Sequence, residues 1–139
     1  MNVIVVGGGK VGARVASLLL AAKHQVKVIE IEANKRTRLQ REVASDAIVI
    51  GSGTEISVLE SAGIRQAHVV AAVTGRDEVN LVVTSLARFA FETPRTIARV
   101  NNPKNAWMYT PQMGVDVAIN QADLMAQLIL GEMDVKVQK

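Results

Sequence analysis

Val3-Ile4-Val5-Val6-Gly7-Gly8-Gly9-Lys10-Val11-Gly12 is the stretch that decides the fold: four apolar residues run into a G-x-G-x-x-G, and a helical pattern opens near Val11. Each glycine of the motif answers a physical need. Gly7 permits a tight turn, Gly9 lets the backbone approach a pyrophosphate, and Gly12 lets the following helix pack close to the strand. The helix start adds unpaired N–H groups and the positive end of a dipole, both favourable to phosphate. A purely structural glycine-rich turn is the alternative that the loop by itself leaves open.

Outward from this loop, short apolar runs recur at Val3–Val6, Val26–Ile31, Ala47–Ile50, His68–Val73, Thr96–Val100 and Asp116–Ile119, with helical patterns between them. Strands that alternate with helices need crossover connections, which are nearly always right-handed. The alternation therefore predicts a single α/β domain: a Rossmann-type doubly wound, parallel six-stranded sheet of order 3-2-1-4-5-6. Composition agrees. Hydrophobic residues make up 49% of the 139 residues but aromatics only 3%, so the core is aliphatic, as in sheets covered on both faces. The chain is too short to hold a substrate domain beside a full dinucleotide fold.

Val11, Val15, Leu18, Leu19 and Ala22 form one helical stripe expected to face the sheet. Val79–Phe91 is apolar on nearly all sides, which predicts a helix covered twice and so a dimer contact, with Trp107, Met108, Tyr109 and Met113 completing the patch. Packing of these side chains inside one subunit is the competing expectation. A last helix is expected over about Gln121–Leu130, with Gly131 as its stop and Asp134–Val137 alternating like the start of a strand. This places the domain at 1–133, followed by a tail at 134–139 that is either frayed or the beginning of a further domain.

Other candidate site residues lie at strand ends, where ligands of open parallel sheets bind. Glu30 ends the second strand 18 residues beyond Gly12, close to the spacing at which a carboxylate accepts ribose hydroxyls, and its charge disfavours a 2′-phosphate. Glu32 is its nearest competitor. Gly51-Ser52-Gly53-Thr54 follows the third strand and Thr74-Gly75-Arg76-Asp77-Glu78-Val79-Asn80 the fourth, although both also read as turns with helix caps. Arg99 falls inside an apolar strand and needs a partner, for which Glu78, Asp77 or a ligand phosphate is available.

These motifs, taken in order, resemble the N-terminal nucleotide-binding domain of potassium-uptake regulators of the TrkA and Ktr type, the RCK or KTN domains. The resemblance runs from Val3 to about Leu130. It rests on the glycine loop, Glu30, Gly51–Thr54, Val58-Leu59 with Ala62-Gly63-Ile64, Ala72–Leu81, Ile97–Pro103 and Gly114–Val117. Asn102–Trp107 looks most like the subgroup in which two TrkA-type proteins operate together. The resemblance implies a homodimer or larger ring beneath a membrane potassium-translocating subunit, responding to ATP/ADP or NAD(H). It implies that Gly7, Gly8, Gly9, Lys10 and Val11 hold phosphates, with Gly12 behind them. Glu30 and Ile31 would take the ribose side, Gly51, Ser52, Gly53 and Thr54 the adenosine, and Val73, Thr74, Gly75 and Arg99 the remainder. Lys10 would reach a terminal phosphate. Ser52 departs from the family pattern, which often has Asp there.

Other classes fit less well. An NAD-dependent oxidoreductase fragment needs a proton donor or acceptor at the site, yet neither His24 nor His68 stands at a carboxyl strand end. An adenine-nucleotide domain of a different regulator is the remaining alternative. Zero cysteines and the absence of room for a leader before the first strand predict a cytoplasmic chain, peripheral to the plasma membrane through its partner. A net charge of +3 without a basic stripe or interleaved aromatics argues against nucleic acid. No metal ligand set or catalytic residue is expected.

Overall fold

The computed structural model describes residues 1–137. Six parallel strands form one sheet in the order β3-β2-β1-β4-β5-β6: β1 Asn2–Val6, β2 Gln25–Glu30, β3 Ile48–Ile50, β4 Val69–Ala72, β5 Arg95–Arg99 and β6 Val117–Ile119. Helices α1 (Lys10–Ala21), α2 (Arg36–Leu39), α3 (Ile56–Ser61) and α4 (Asp77–Ser85) occupy the crossovers, and α5 (Gln121–Val137) follows the last strand. The predicted Rossmann-type order is the observed one. The reversal lies between β1 and its two partners, with Val6 opposite Ile29 on one side and Ala72 on the other. Strand-end loops of β1, β2 and β4 therefore open on one crevice.

Because the sheet is covered on both faces, the core divides in two. Val3, Val5, Val26, Val28 and Ile48 pack against α1 and the segment around Leu39 and Val43. Ile4, Val6, Ile29, Val70 and Ala72 pack on the opposite face against Leu59, Ile64, Val83 and Ala87. Alternate residues of β1 thus serve different cores, as the period of two requires.

Helix α1 corrects the expected stripe in part: Val15 and Leu19 pack against the core as expected, but Val11, Leu18 and Ala22 stand exposed. Its buried residues are Gly12, Ala13 and Ala16, whereas Val11 is 38% and Leu18 53% exposed. The reason is distance. A Cβ on Gly12 would stand 1.8 Å from the Gly7 carbonyl oxygen, so the first turn of the helix lies too close to the β1 turn for a side chain at that position, and the larger Val15, Leu19 and Leu20 pack on the core further along.

The apolar stretch after β4 is also not one regular helix. It runs as α4 to Ser85 and then as a π-helical turn over Leu86–Ala90. Leu81, Val83, Thr84 and Ala87 are buried, while Val82 and Phe89 face outward. Trp107 is 75% exposed, but Tyr109 is buried and Met108 packs beside it in a small core with Leu81, Ala98, Val100 and Val115. Two of the four residues assigned to the outer patch therefore belong inside. At the carboxyl end, α5 continues through Gly131 to Val137. The alternation at Asp134–Val137 is helical and not the start of a strand; Gln138 and Lys139, the rest of the expected tail, lie outside the described residues.

Candidate functional site

The crevice at the carboxyl ends of the strands holds a cavity of about 610 Å³. That volume lies within the range of small-molecule and cofactor sites. Its wall is assembled from five strand ends: Gly7, Gly9, Lys10, Val11 and Gly12 after β1, Glu30, Ile31, Glu32 and Lys35 after β2, Gly51–Thr54 after β3, Val73–Arg76 after β4, and Arg99 closing β5. Every residue that the resemblance places at the site except Gly8 lines it, whereas Asp77, Glu78 and Asn80 of the polar loop after β4 stand outside the wall.

Gly8 is buried on the other side of the loop. Its N–H donates to Glu30 Oε1 at 2.9 Å, and a Cβ there would meet Leu39 Cδ2 at 2.9 Å and Glu30 Oε1 at 3.0 Å. Gly8 is therefore a packing glycine and leaves the list of wall residues. Gly7 holds φ +114°, a region that glycine tolerates and side chains rarely adopt. Gly9 differs from both: a Cβ there would meet nothing within 4 Å, because the residue looks into the open cavity.

The start of α1 faces the cavity without a counter-group of its own. Its first intrahelical bond runs from Ala13 N–H to the Gly9 carbonyl at 2.8 Å, so the N–H groups of Lys10, Val11 and Gly12 have no acceptor in the helix. Gly9 supplies no side-chain cap and the first turn has no acidic residue. Lys10 puts a positive charge where the helix dipole already disfavours one. Such an end is unfavourable by itself and becomes favourable opposite an anion.

Glu30 is 5% exposed and plays a structural part. Its Oε1 accepts from Gly8 and its Oε2 from the Glu32 N–H at 2.9 Å, which ties the glycine loop to the chain leaving β2. Each carboxylate oxygen keeps a further lone pair for a hydroxyl. Lys35, which the sequence reading did not single out, joins this wall from the turn before α2 and pairs with Glu32 at 2.6 Å. The hydrogen bond to Glu32 holds its ammonium above the usual lysine range.

The loop after β4 is built differently. Asp77 is buried; its Oδ1 accepts from Asn101 N–H at 2.7 Å, Asn101 Nδ2 at 3.2 Å and Tyr109 Oη at 2.5 Å, and its Oδ2 from Asn102 N–H and Asn105 Nδ2, each at 2.9 Å. Burial alone would raise this carboxyl, but the donors, led by Tyr109, outweigh it and hold the acid well below the usual range. Burial, then the hydrogen bond to Asp77, pushes the Tyr109 phenol well above its ordinary value, so the proton stays on oxygen. Asn80 is fully enclosed, accepting the Thr74 N–H at 3.0 Å and donating to the Thr74 and Arg99 carbonyls at 3.1 and 3.0 Å.

This arrangement corrects the expected partners of Arg99. Asp77 is saturated by neutral donors and Glu78 pairs with Arg76 at 2.8 Å. Among the described residues neither Arg99 nor Lys10 takes part in an ion pair, and both face the cavity. Ser52, at the position where Asp is frequent, bonds instead to the Thr54 hydroxyl at 2.7 Å. No group of acids or histidines suited to a metal ion occurs among the described residues.

Residues 3–121 match the model of the TrkA-N domain. The chain belongs to the TrkA-N family. This TrkA-N chain is 38% identical over 130 residues to the Trk system potassium uptake protein TrkA of Mycobacterium tuberculosis, a match covering 93% of the chain and 58% of that protein. It is 40% identical over 121 residues to a TrkA homolog of Methanothermobacter thermautotrophicus, covering 86% of the chain and 54% of the homolog. The TrkA-N chain thus spans little more than half the length of these relatives. Among solved structures, the TrkA-N domain of the inner membrane protein ybaL from Escherichia coli superposes with a TM-score of 0.80 at 21% identity, over 94% of each chain. The GsuK channel bound to NAD gives 0.76 at 22% identity, over 97% of this chain and 23% of that one. The AMP-bound Kef C-terminal domain of Shewanella denitrificans gives 0.76 at 19%, over 99% and 82%. These three likenesses establish the shared fold.

Proposed function

We infer that this TrkA-N domain is the nucleotide-sensing part of a cytoplasmic regulatory subunit for potassium uptake, and that it acts without catalysing a reaction. The observation that carries the reading is the start of α1: three N–H groups without helical acceptors, no cap, and Lys10 facing a cavity of about 610 Å³. A phosphate group would satisfy all of these at once. The names of the relatives support the potassium system, and GsuK structures with NAD and ADP and the AMP-bound Kef domain support an adenine nucleotide.

In this reading the residues fit ATP, ADP or NAD(H). Gly7, Gly9, Lys10 and Val11 hold phosphates, Glu30 and Ile31 the ribose side, Gly51–Thr54 the adenosine, and Val73, Thr74, Gly75 and Arg99 the far end. Glu30 does double duty, since the carboxylate offered to the ribose also anchors Gly8. Binding influences transport only through a difference in affinity between two assembly states. The domain proper is residues 1–133. The assembly would use the outward face of α4 and the π-helical turn, where Val82, Phe89 and Met113 border an apolar groove.

Calorimetry of the chain with ATP, ADP, NADH and NADPH tests the site. Binding of at least one of the first three is expected, with NADPH weaker than NADH because Glu30 and Glu32 repel a 2′-phosphate. Failure of every nucleotide to bind would overturn the reading. For assembly, Phe89→Glu is expected to give monomers in sedimentation where the wild type gives dimers or larger rings. Phe89 is the better probe because Leu86 also packs on the core.

A further inference from the structure

The two faces of the sheet differ in how they treat their arginines. Helices α1 and α2 pack on one face, α3 and α4 on the other. On the α3 and α4 face, Arg65, Arg76 and Arg88 are each paired, with Glu60, Glu78 and Asp116. On the α1 and α2 face, Arg14, Arg36, Arg38 and Arg41 are all exposed, and none forms an ion pair among the described residues. Composition follows the same division. Residues 1–47, which include both helices of the first face, hold eight Lys and Arg against four acids, of which Glu30 is buried and Glu32 is taken by Lys35. Residues 48–139 hold eight against nine.

Helical geometry turns these charges outward. Leu39 and Val43, four residues apart, point into the core, which leaves Arg36, Arg38 and Arg41 around the outer side of α2 and the turn after it. Glu42 stands one turn beyond Arg38, yet no ion pair joins them among the described residues. On α1 the buried residues are Gly12, Ala13 and Ala16, so Arg14 stands on the outer side with Leu18, 53% exposed, one turn further on. Like charges crowded in this way repel one another, and a broad array of negative charge relieves them. Two features select which array. Leu18 beside Arg14 is an apolar side chain that a dissolved polyanion leaves in water and the headgroup layer of a bilayer covers. The chain has no Phe, Tyr or Trp before Phe89, so this face lacks rings on which nucleic-acid bases stack.

We propose that the α1 and α2 face is a docking surface for an anionic phospholipid bilayer, with Arg14, Arg36, Arg38 and Arg41 against the headgroup phosphates and Leu18 at headgroup level. The inference goes beyond the nucleotide reading and does not depend on it, since none of these residues lines the cavity. The apolar groove beside α4 lies over the opposite face of the sheet, so contact with lipid leaves it free for assembly.

The test is co-sedimentation of the chain, without nucleotide, with vesicles of phosphatidylcholine alone or mixed in equal parts with phosphatidylglycerol. Binding to the mixed vesicles only is expected, weakening as salt screens the charges. Arg14→Gln, Arg36→Gln, Arg38→Gln and Arg41→Gln should each weaken it about 5-fold, the effect of one basic residue at an anionic membrane surface. Leu18→Ser should weaken it about 3-fold through lost apolar burial. Arg65→Gln, on the other face and already paired, should change it less than about 2-fold. Circular dichroism is expected to match the wild type throughout, every substituted side chain being exposed. No binding to the mixed vesicles, or equal binding to both kinds, overturns the proposal and leaves the nucleotide reading standing. Equal losses in Arg65→Gln and Arg38→Gln assign the attraction to net charge and overturn the role of this face. Unchanged affinity in Leu18→Ser overturns the bilayer contact, and tighter binding to polyuridylate RNA than to the mixed vesicles overturns the choice of lipid.

Discussion

Helices α1 and α4 start from neighbouring strands, β1 and β4, on the same crevice, yet their first turns are opposites. Neither has a side-chain cap, but the start of α1 has glycines, no acid and a lysine. The start of α4 has Asp77 and Glu78 in its first turn, and Asp77 accepts five hydrogen bonds from Asn101, Asn102, Asn105 and Tyr109. One end is left electrostatically open toward the cavity. The other is closed by the protein's own side chains and fixes β5 and the following 3₁₀ turn, Pro103–Met108, beside it. Two helix starts on one crevice can thus serve as a docking point or as a structural joint, according to whether the chain supplies its own counter-groups.

Substitutions that close the open end or open the closed one separate these roles. Gly12→Val should have the largest effect, since a Cβ would stand 1.8 Å from the Gly7 carbonyl oxygen; a loss above about 3 kcal/mol is expected in denaturant unfolding. Asp77→Ala comes next at about 3 kcal/mol, because it strands buried donors. The same acid predicts a pH dependence. Its folded pKa is depressed, so its stabilisation is present above the unfolded value of about 4 and is lost as pH falls below it. Asp77→Asn should flatten that acid limb of the stability curve.

Glu30→Ala is expected to cost about 1–2 kcal/mol of stability by orphaning the Gly8 and Glu32 N–H groups, and about 1–3 kcal/mol of nucleotide affinity. Loss of stability without loss of affinity would make Glu30 a tether only. The smallest stability change belongs to Gly9→Asp. No atom lies within 4 Å of its Cβ and aspartate is a good cap, so a gain of a few tenths of a kcal/mol is expected while nucleotide binding disappears. A variant that is more stable and does not bind would show that the open end is kept for a ligand; retained binding would contradict it.

How much was legible in the sequence depended on the range of the interaction concerned. The glycine loop, the alternation of strands and helices and the resulting strand order follow from local periodicity and from glycines whose constraints act within one turn. Gly8 could not be told from its neighbours, because its neighbour in space is Glu30, 22 residues away. The Asp77 joint was read as an ordinary cap or ligand loop, since its partners stand 24 to 32 positions further on and reach it only through the β5 crossover. Lys35 carries no pattern of its own and reaches the cavity because its loop folds over it, whereas Arg76 was legible as part of the polar loop after the fourth strand. Gly131 reads as a stop, yet a single glycine lowers helix propensity by only about 1 kcal/mol and α5 continues through it.

The sequence by itself determined the sheet, its order and the position of the crevice, because each of these follows from periodicity and backbone freedom encoded within a few residues, and its resemblance to the RCK domains supplied nearly all of the cavity wall. Only the tertiary structure decided which polar groups are spent on the protein and which remain for a ligand. Charges such as Asp77, Glu78, Arg76 and Arg99 are alike as letters. Their roles are set by the partners that folding brings within hydrogen-bond distance.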